Sequence, residues 1–449
     1  MANDRPRTRR SIVVACCSLM MAAACSSESP SVDAAAMAQT STVADTPTTT
    51  RAFVSPTTTD LADDPRSKVD CQPHSIADRT QRSLAIDPTN HGIVYVGVER
   101  QGFFKSVDGG ATWRRAQSGL KAWKRSDGTG LCFEEFYETV IDAANPNDVC
   151  IARAGGPGLS STVGSTGTNG VYCSSDAGVS WVQRISPTMN TAVYALAADP
   201  NDARVMYAGV NGGPCSVGTC PPNTYFNTIG AIYKTNDGGL TWKELDSHYL
   251  PDMRVTALRV DPSNPNVVVA ATFSKIQSGG AGNFAGPQSG LLRSVDGGAS
   301  WTASTQGMSS DPREQALLFM ELSPRNASNV FVTASSNTSY TSSDGGLTFS
   351  ATKRMTAVAF DPNDPSGRHV IGCSGDRIME SRDAGRTWSD LTGTPAVFSV
   401  PADLPTDFEW SRQDPLVIYM SGGHASVFRS NDGGHSWTGV LSSETLPGV

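Results

Sequence analysis

The chain has 449 residues, of which 43 are Gly, 27 are Pro and 17% are charged, the balance expected of many short strands joined by tight turns. A formal charge of −8 leaves no basic field to draw in nucleic acid. Six His, and ten Cys with no Cys-x-x-Cys pair among them, supply no zinc-type ligand spacing, so neither a metal nor a cofactor is expected.

The first predicted element is an export signal over residues 1–25. Arg5, Arg7, Arg9 and Arg10 precede an uncharged apolar run from Ile12 to Ala24, the charged-then-apolar order of a leader, and its 13 residues are too few to span a bilayer as a helix. The run ends Ala22-Ala23-Ala24-Cys25, which resembles a bacterial lipobox and implies acylation of Cys25. Thr8-Arg9-Arg10-Ser11-Ile12-Val13 loosely resembles a twin-arginine signal; an ordinary secretory leader reads equally well. Residues 26–68 are rich in Ser, Thr, Ala, Pro and Asp with few large apolar side chains, a composition that cannot bury a core and reads as a disordered tether. An extracytoplasmic protein is expected, held to the bacterial cell membrane by its lipid alone.

Residues 69–449 are expected to form one folded body. A phrase Ser/Thr-x-Asp-x-Gly-x-Thr/Ser-aromatic recurs seven times, with its aspartates at Asp108, Asp176, Asp237, Asp296, Asp344, Asp383 and Asp432, a mean period of 54 residues. Before most copies stands a second phrase, as in Leu84-Ala-Ile-Asp87-Pro88, Leu258-Arg-Val-Asp261-Pro262 and Val358-Ala-Phe-Asp361-Pro362. Repeats of this length with strand-like segments between turn signals predict an all-β, seven-bladed β-propeller. Each unit reads as inner strand A, an Asp-Pro turn, strand B, a loop, strand C, the Asp box, and strand D. In the box a short carboxylate accepts backbone N–H groups, a glycine supplies a shape other residues resist, and the aromatic fills space between blades. These seven aspartates are read as builders of the fold, because a functional site is usually unique.

Strand alternation places the A–B turns and the boxes at one end of the ring, and the B–C and D–A loops at the other. The long insertions, residues 120–139, 154–169, 211–230 and 272–290, all fall at that second end, which is the expected binding face. Of the cysteines, Cys150 and Cys173 occupy opposed positions on antiparallel strands of blade 2 and are expected to pair, as are Cys215 and Cys220 in a Gly/Pro-rich loop. Cys71 with Cys132 is a further pairing, which leaves Cys373 as an odd buried thiol.

Aligned inner strands give a column two residues before each Asp-Pro position: Ala85, Val140, Ala197, Arg259, Glu321, Ala359 and Glu409. Small residues dominate, so the charged members stand out. Arg259 and Glu321, level on adjacent blades, most simply pair with each other. Asp407 and Glu409 share one side of a strand about 6.5–7 Å apart, and carboxyl pairs at about 6.5–9.5 Å suit inverting glycoside hydrolysis. Glu138 and Tyr137 approach the same channel from blade 2. Arg254 and Arg354, each seven residues before an Asp-Pro aspartate, could grip a carboxylate or sulfate. Trp123 and Tyr249 could stack on sugar rings or anchor a partner, whereas Trp410 matches an apolar inter-blade column and reads as core.

The repeats over residues 80–440 resemble the Asp-box (BNR) propellers: sialidases, xyloglucanases, sortilin-type receptors and the photosystem II stability/assembly factor group. The sialidase Arg-Ile-Pro segment is absent from the sequence, and one ring stands where xyloglucanases usually join two. A single seven-bladed ring most resembles the assembly-factor group, which binds rather than catalyses. The resemblance implies a monomeric module that binds an envelope protein or glycan through its loop-rich face. The alternative is a glycoside hydrolase, exo-sialidase-like or xyloglucanase-like, using Asp407, Glu409 and Glu138.

Overall fold

The computed structural model describes residues 83–98, 101–124, 131–133, 135–154, 169–185, 192–210, 230–245, 253–274, 290–391, 405–422, 426–442 and 445–447. Within them seven four-stranded antiparallel sheets follow one another, each built from four consecutive strands. The fold is a seven-bladed β-propeller. The inner strands A, which position the site below, are Ala85–Asp87, Glu135–Ile141, Val193–Asp199, Met253–Val260, Leu317–Leu322, Ala357–Phe360 and Pro405–Trp410. Outside the blades lie a short ladder pairing Trp123–Lys124 with Leu131–Cys132 and a helical turn over Pro312–Gln315.

The Asp boxes do what their residue types dictate. In blade 3, Thr235 Oγ1 donates to Asp237 Oδ1 at 2.7 Å, while the Thr241 amide and hydroxyl donate to its two oxygens at 2.9 and 2.5 Å. The same three bonds recur in the other six boxes. Hydrogen bonds to the ionised form favour it: those from the Thr241 hydroxyl and amide hold the Asp237 carboxyl down at about 2. The residue after each aspartate donates its amide to the A–B turn of its own blade, as Gly297 does to Asn266 O at 2.8 Å, so boxes and A–B turns share one end of the ring.

The motif leaves the position after each aspartate open, but the structure does not. That residue is left-handed in all seven boxes, and in two of them it is an alanine: Ala177 at φ 56° and Ala384 at φ 62°. A left-handed alanine costs about 1–2 kcal/mol, partly offset by the extra freedom glycine has in the unfolded chain. Ala177→Gly is expected to raise the melting temperature, because its methyl is only half-buried. Ala384→Gly is expected to change little, because there the methyl is packed in the core. Differential scanning calorimetry of the two variants checks both outcomes.

Blade contacts repeat as well. Tyr95 OH and Lys105 Nζ of blade 1 both donate to Ala177 O in the box of blade 2, and Tyr207 and Lys234 of blade 3 both donate to Gly297 O in the box of blade 4. Blades 7 and 1 share no strand. Their seam is closed by Arg429 Nη1 to Gly109 O at 3.0 Å, Trp113 Nε1 to Val440 O at 2.9 Å, and an apolar cluster that gathers Leu84 and Val94 of blade 1 with Tyr419 and Leu441 of blade 7.

Cys150 and Cys173 are disulfide-bonded across strands B and C of blade 2. Cys373 is free and buried, and burial pushes its thiol up to about 12. Cys25, Cys71, Cys215 and Cys220 lie outside the described residues, as do the leader and the tether. Among the described residues no helix is long and apolar enough to cross a membrane.

One irregularity recurs where the sequence suggests plain alternation. Strand A carries a bulge at the same level in five blades, at Phe136/Glu138, Val193/Ala195, Val255/Ala257, Leu317/Phe319 and Pro405/Asp407. A bulge leaves one extra residue unpaired and re-aims its side chain. Here the extra residues are Tyr137, Tyr194, Thr256, Leu318 and Thr406, all near the loop-rich end.

Candidate functional site

The inner strands of all seven blades line a cavity of about 350 Å³ at the A–B-turn end of the channel. Pro88, Pro200, Pro262, Pro324 and Pro362 stand at its mouth. They come from the Asp-Pro and Ser-Pro turns, whose aspartates hold the backbone shut: Asp261 Oδ1, for example, accepts the Ser263 amide at 2.8 Å. Arg412 holds the matching turn position in blade 7, and deeper in the lining turns polar with Glu138, Arg259, Glu321, Asp407 and Glu409.

Arg259 spans the channel. From blade 4 its Nη2 and Nε bind both oxygens of Glu321 on blade 5, at 2.5 and 3.2 Å, and its Nη1 reaches Glu138 on blade 2 at 3.0 Å. Nη1 also donates to Leu258 O at 2.8 Å. The side chains of Arg259, Glu138 and Glu321 are only 20%, 12% and 18% exposed, so each charge depends on the others. Although burial works against its charged form, the carboxylates of Glu138 and Glu321, with Asp407 behind them, hold the Arg259 guanidinium above its ordinary range. The expected Arg259–Glu321 pair is present. Glu138 lines the same cavity as Asp407 and Glu409, as expected, and is clamped there from across the ring by Arg259.

Asp407 is buried, and its Oδ1 accepts the Phe408 amide at 3.0 Å. Glu409 lines the cavity beside it. Burial, with the negative charges of Glu321 and Glu138 and against the pull of Arg412 and Arg259, pushes its carboxyl up to about 8. Trp410 is core, 5% exposed, with Nε1 donating to Ala359 O and its ring edge-on to His369.

A second cluster sits at the loop-rich end, across three adjacent blades. The bulged Tyr137 of blade 2 packs edge-on against the bulged Tyr194 of blade 3, with ring centroids 4.7 Å apart. Arg254 of blade 4 lies over Tyr194 at 3.9 Å from the ring centroid. The Tyr137 hydroxyl donates to Glu135, and burial, reinforced by Glu135 and Tyr194, holds that hydroxyl well above the usual phenol range. The Arg254 Nε is buried without a hydrogen-bond acceptor, and among the described residues no carboxylate pairs with its guanidinium. Stacking on a ring fixes the plane of a guanidinium while leaving its outer edge open to a planar anion.

The two expected arginines are not brought together. Arg354 is exposed and donates to Asn337 Oδ1 of blade 5 at 3.0 Å. Trp123 belongs to the short ladder between blades 1 and 2, and Tyr249 lies outside the described residues. Sequence reasoning did not single out Tyr194. Its signal was available: it sits five residues before Asp199 as Tyr137 sits five before Asp142, and both are the bulged residue of their strand. Among the described residues no group of three His, Cys, Asp or Glu side chains is arranged to hold a metal.

No family model matches the chain. A 230-residue stretch, 49% of the chain, is 26% identical to a xyloglucanase of Hypocrea jecorina (strain QM6a), of whose length it spans only 25%. Among solved structures, the GH74 xyloglucanase from Xanthomonas campestris aligns with 80% of this chain and 58% of its own, at 16% identity and a TM-score of 0.44. YCF48 from Cyanidioschyzon merolae aligns with 80% of this chain and 98% of its own, at 15% identity and a TM-score of 0.47. YCF48 bound to a D1 peptide aligns with 80% and 95%, at 16% and 0.49.

Proposed function

We propose that this propeller is an exported, lipid-anchored binding module that takes a protein or glycan of the cell envelope at its loop-rich end. The observation that carries this reading is Arg254. Its guanidinium is stacked on Tyr194, among the described residues no carboxylate pairs with it, and it stands at the end of the ring where the sequence places the long insertions. An anionic group on the ligand, a carboxylate or sulfate, suits that edge. The carboxylates at the opposite end support the same reading, because Glu138 and Glu321 are already bound to Arg259. The test compares the full-length protein with Arg254→Gln on immobilised acidic glycans and fractionated envelope proteins. Losing a charged hydrogen bond costs about 1.5–3 kcal/mol, so binding is expected to weaken about tenfold or more. Undiminished binding by a folded Arg254→Gln protein would overturn the reading.

One observation favours a glycoside hydrolase instead. Asp407 and Glu409 face the same cavity, and a carboxyl raised to about 8 is the form a general acid needs. The partial likeness to a xyloglucanase points the same way. Turnover of xyloglucan oligosaccharides or fluorogenic glycosides, abolished by Asp407→Asn and by Glu409→Gln, would establish it in place of binding.

A further inference from the structure

The channel cluster joins three blades through one guanidinium and so makes a device that the binding reading does not use. Arg259 commits Nε and Nη2 to Glu321 and Nη1 to Glu138 and its own backbone. It thereby ties blade 4 to blades 5 and 2 across the ring. Glu409 enters the same cavity from blade 7, and the charges facing it are Glu321, Arg259 and Glu138 from the other blades and Arg412 from its own turn. Asp407 lies two residues away on its strand, and Tyr419 is its partner on strand B. The flanking blades 1 and 6 present Ala85 and Ala359 at this level, with Asp87 held by Thr89 at the mouth. Four carboxyls thus converge on two guanidiniums, one of which is already saturated on the side facing Glu138 and Glu321.

We propose that the Arg259 tie is a proton-controlled lock on the ring, closed while Glu409 is neutral and loosened when Glu409 ionises and competes with Glu138 and Glu321 for the same guanidinium. Neutral Glu409 adds no charge to the cluster, whereas ionised Glu409 adds a fourth anion to a site with two cations. The sign follows from linkage. A carboxyl raised to about 8 in the folded protein binds a proton that the unfolded chain has already lost above its ordinary value near 4.3. Its stabilisation is therefore whole below about pH 4, shrinks as pH rises, and is gone above about pH 8.

The experiment uses full-length protein, unfolded by urea at pH 5.5 and pH 8.5, with Glu409→Gln as a permanent mimic of the neutral carboxyl. The wild-type midpoint is expected to be lower at pH 8.5 than at pH 5.5. The Gln variant is expected to lose most of that difference and to exceed wild type at pH 8.5. A wild-type pH dependence retained in Glu409→Gln would overturn the lock. Proton release gives an independent measure: wild type unfolding in weakly buffered solution at pH 6.5 is expected to release one more proton than the variant. Should the variant not fold, absence of any proton release from wild type overturns the proposal by itself.

Discussion

Replacing Arg259 by alanine is expected to cost about 3–5 kcal/mol, the range for removing one partner of a buried ion pair, because it strands two buried carboxylates at once. Glu138 and Glu321 are 12% and 18% exposed, too little for water to screen them fully. The cost should shrink in acid, where both carboxyls of the variant can take up protons. It should also shrink when the charges are removed together. Glu138→Gln and Glu321→Gln added to Arg259→Met should recover most of the loss, since a neutral cluster of similar volume leaves no ion unpaired. Urea midpoints of the single and triple variants check this. A single variant as stable as wild type would mean that the brace carries no load across the ring.

Gly119→Ala is expected to cost about 2–4 kcal/mol, from a left-handed backbone that alanine resists and a forced overlap. Gly119 has φ +84°, and an added Cβ would stand 2.2 Å from Trp181 O. That carbonyl cannot retreat cheaply. The Trp181 amide is held by Ser118 O at 2.9 Å, and its ring is packed edge-on against Phe103 with Nε1 bonded to Ala116 O. The substitution therefore pushes blades 1 and 2 apart at their shared aromatic wedge. Gly238→Ala is the control: its φ is +70° but an added Cβ meets nothing within 4 Å, so it should lose only the backbone part, about 1 kcal/mol. Thermal unfolding of the two variants separates clash from conformation, and equal losses would show that the overlap is relieved by local adjustment.

The parts of the fold legible in the sequence are those whose interactions close within a few residues. An Asp box joins Ser106 to Asp108 and Asp108 to Thr112, so its residue types specify its shape wherever it occurs. Counting such units counts the blades. Cys150 and Cys173 could be paired because the strands carrying them are neighbours in sequence as well as in the sheet. Arg259 and Glu321 were level because adjacent blades repeat the same phrase. The bulges were not legible: nothing in Glu135-Phe-Tyr137-Glu-Thr or Val193-Tyr194-Ala-Leu marks one residue as extra, and only the strand pairing in the folded blade shows which residue it is.

The sequence by itself thus determined the number of blades, the ends of the ring on which turns and insertions fall, and the turn chemistry. All of these rest on short-range hydrogen bonding and on a period set by the repeat. Only the tertiary structure decided that Arg259 finds Glu138, 121 residues away, and that Arg254 comes to rest on Tyr194. Those contacts exist because seven sheets close into a ring and bring opposite inner strands within one side chain's reach, a distance that no local pattern encodes.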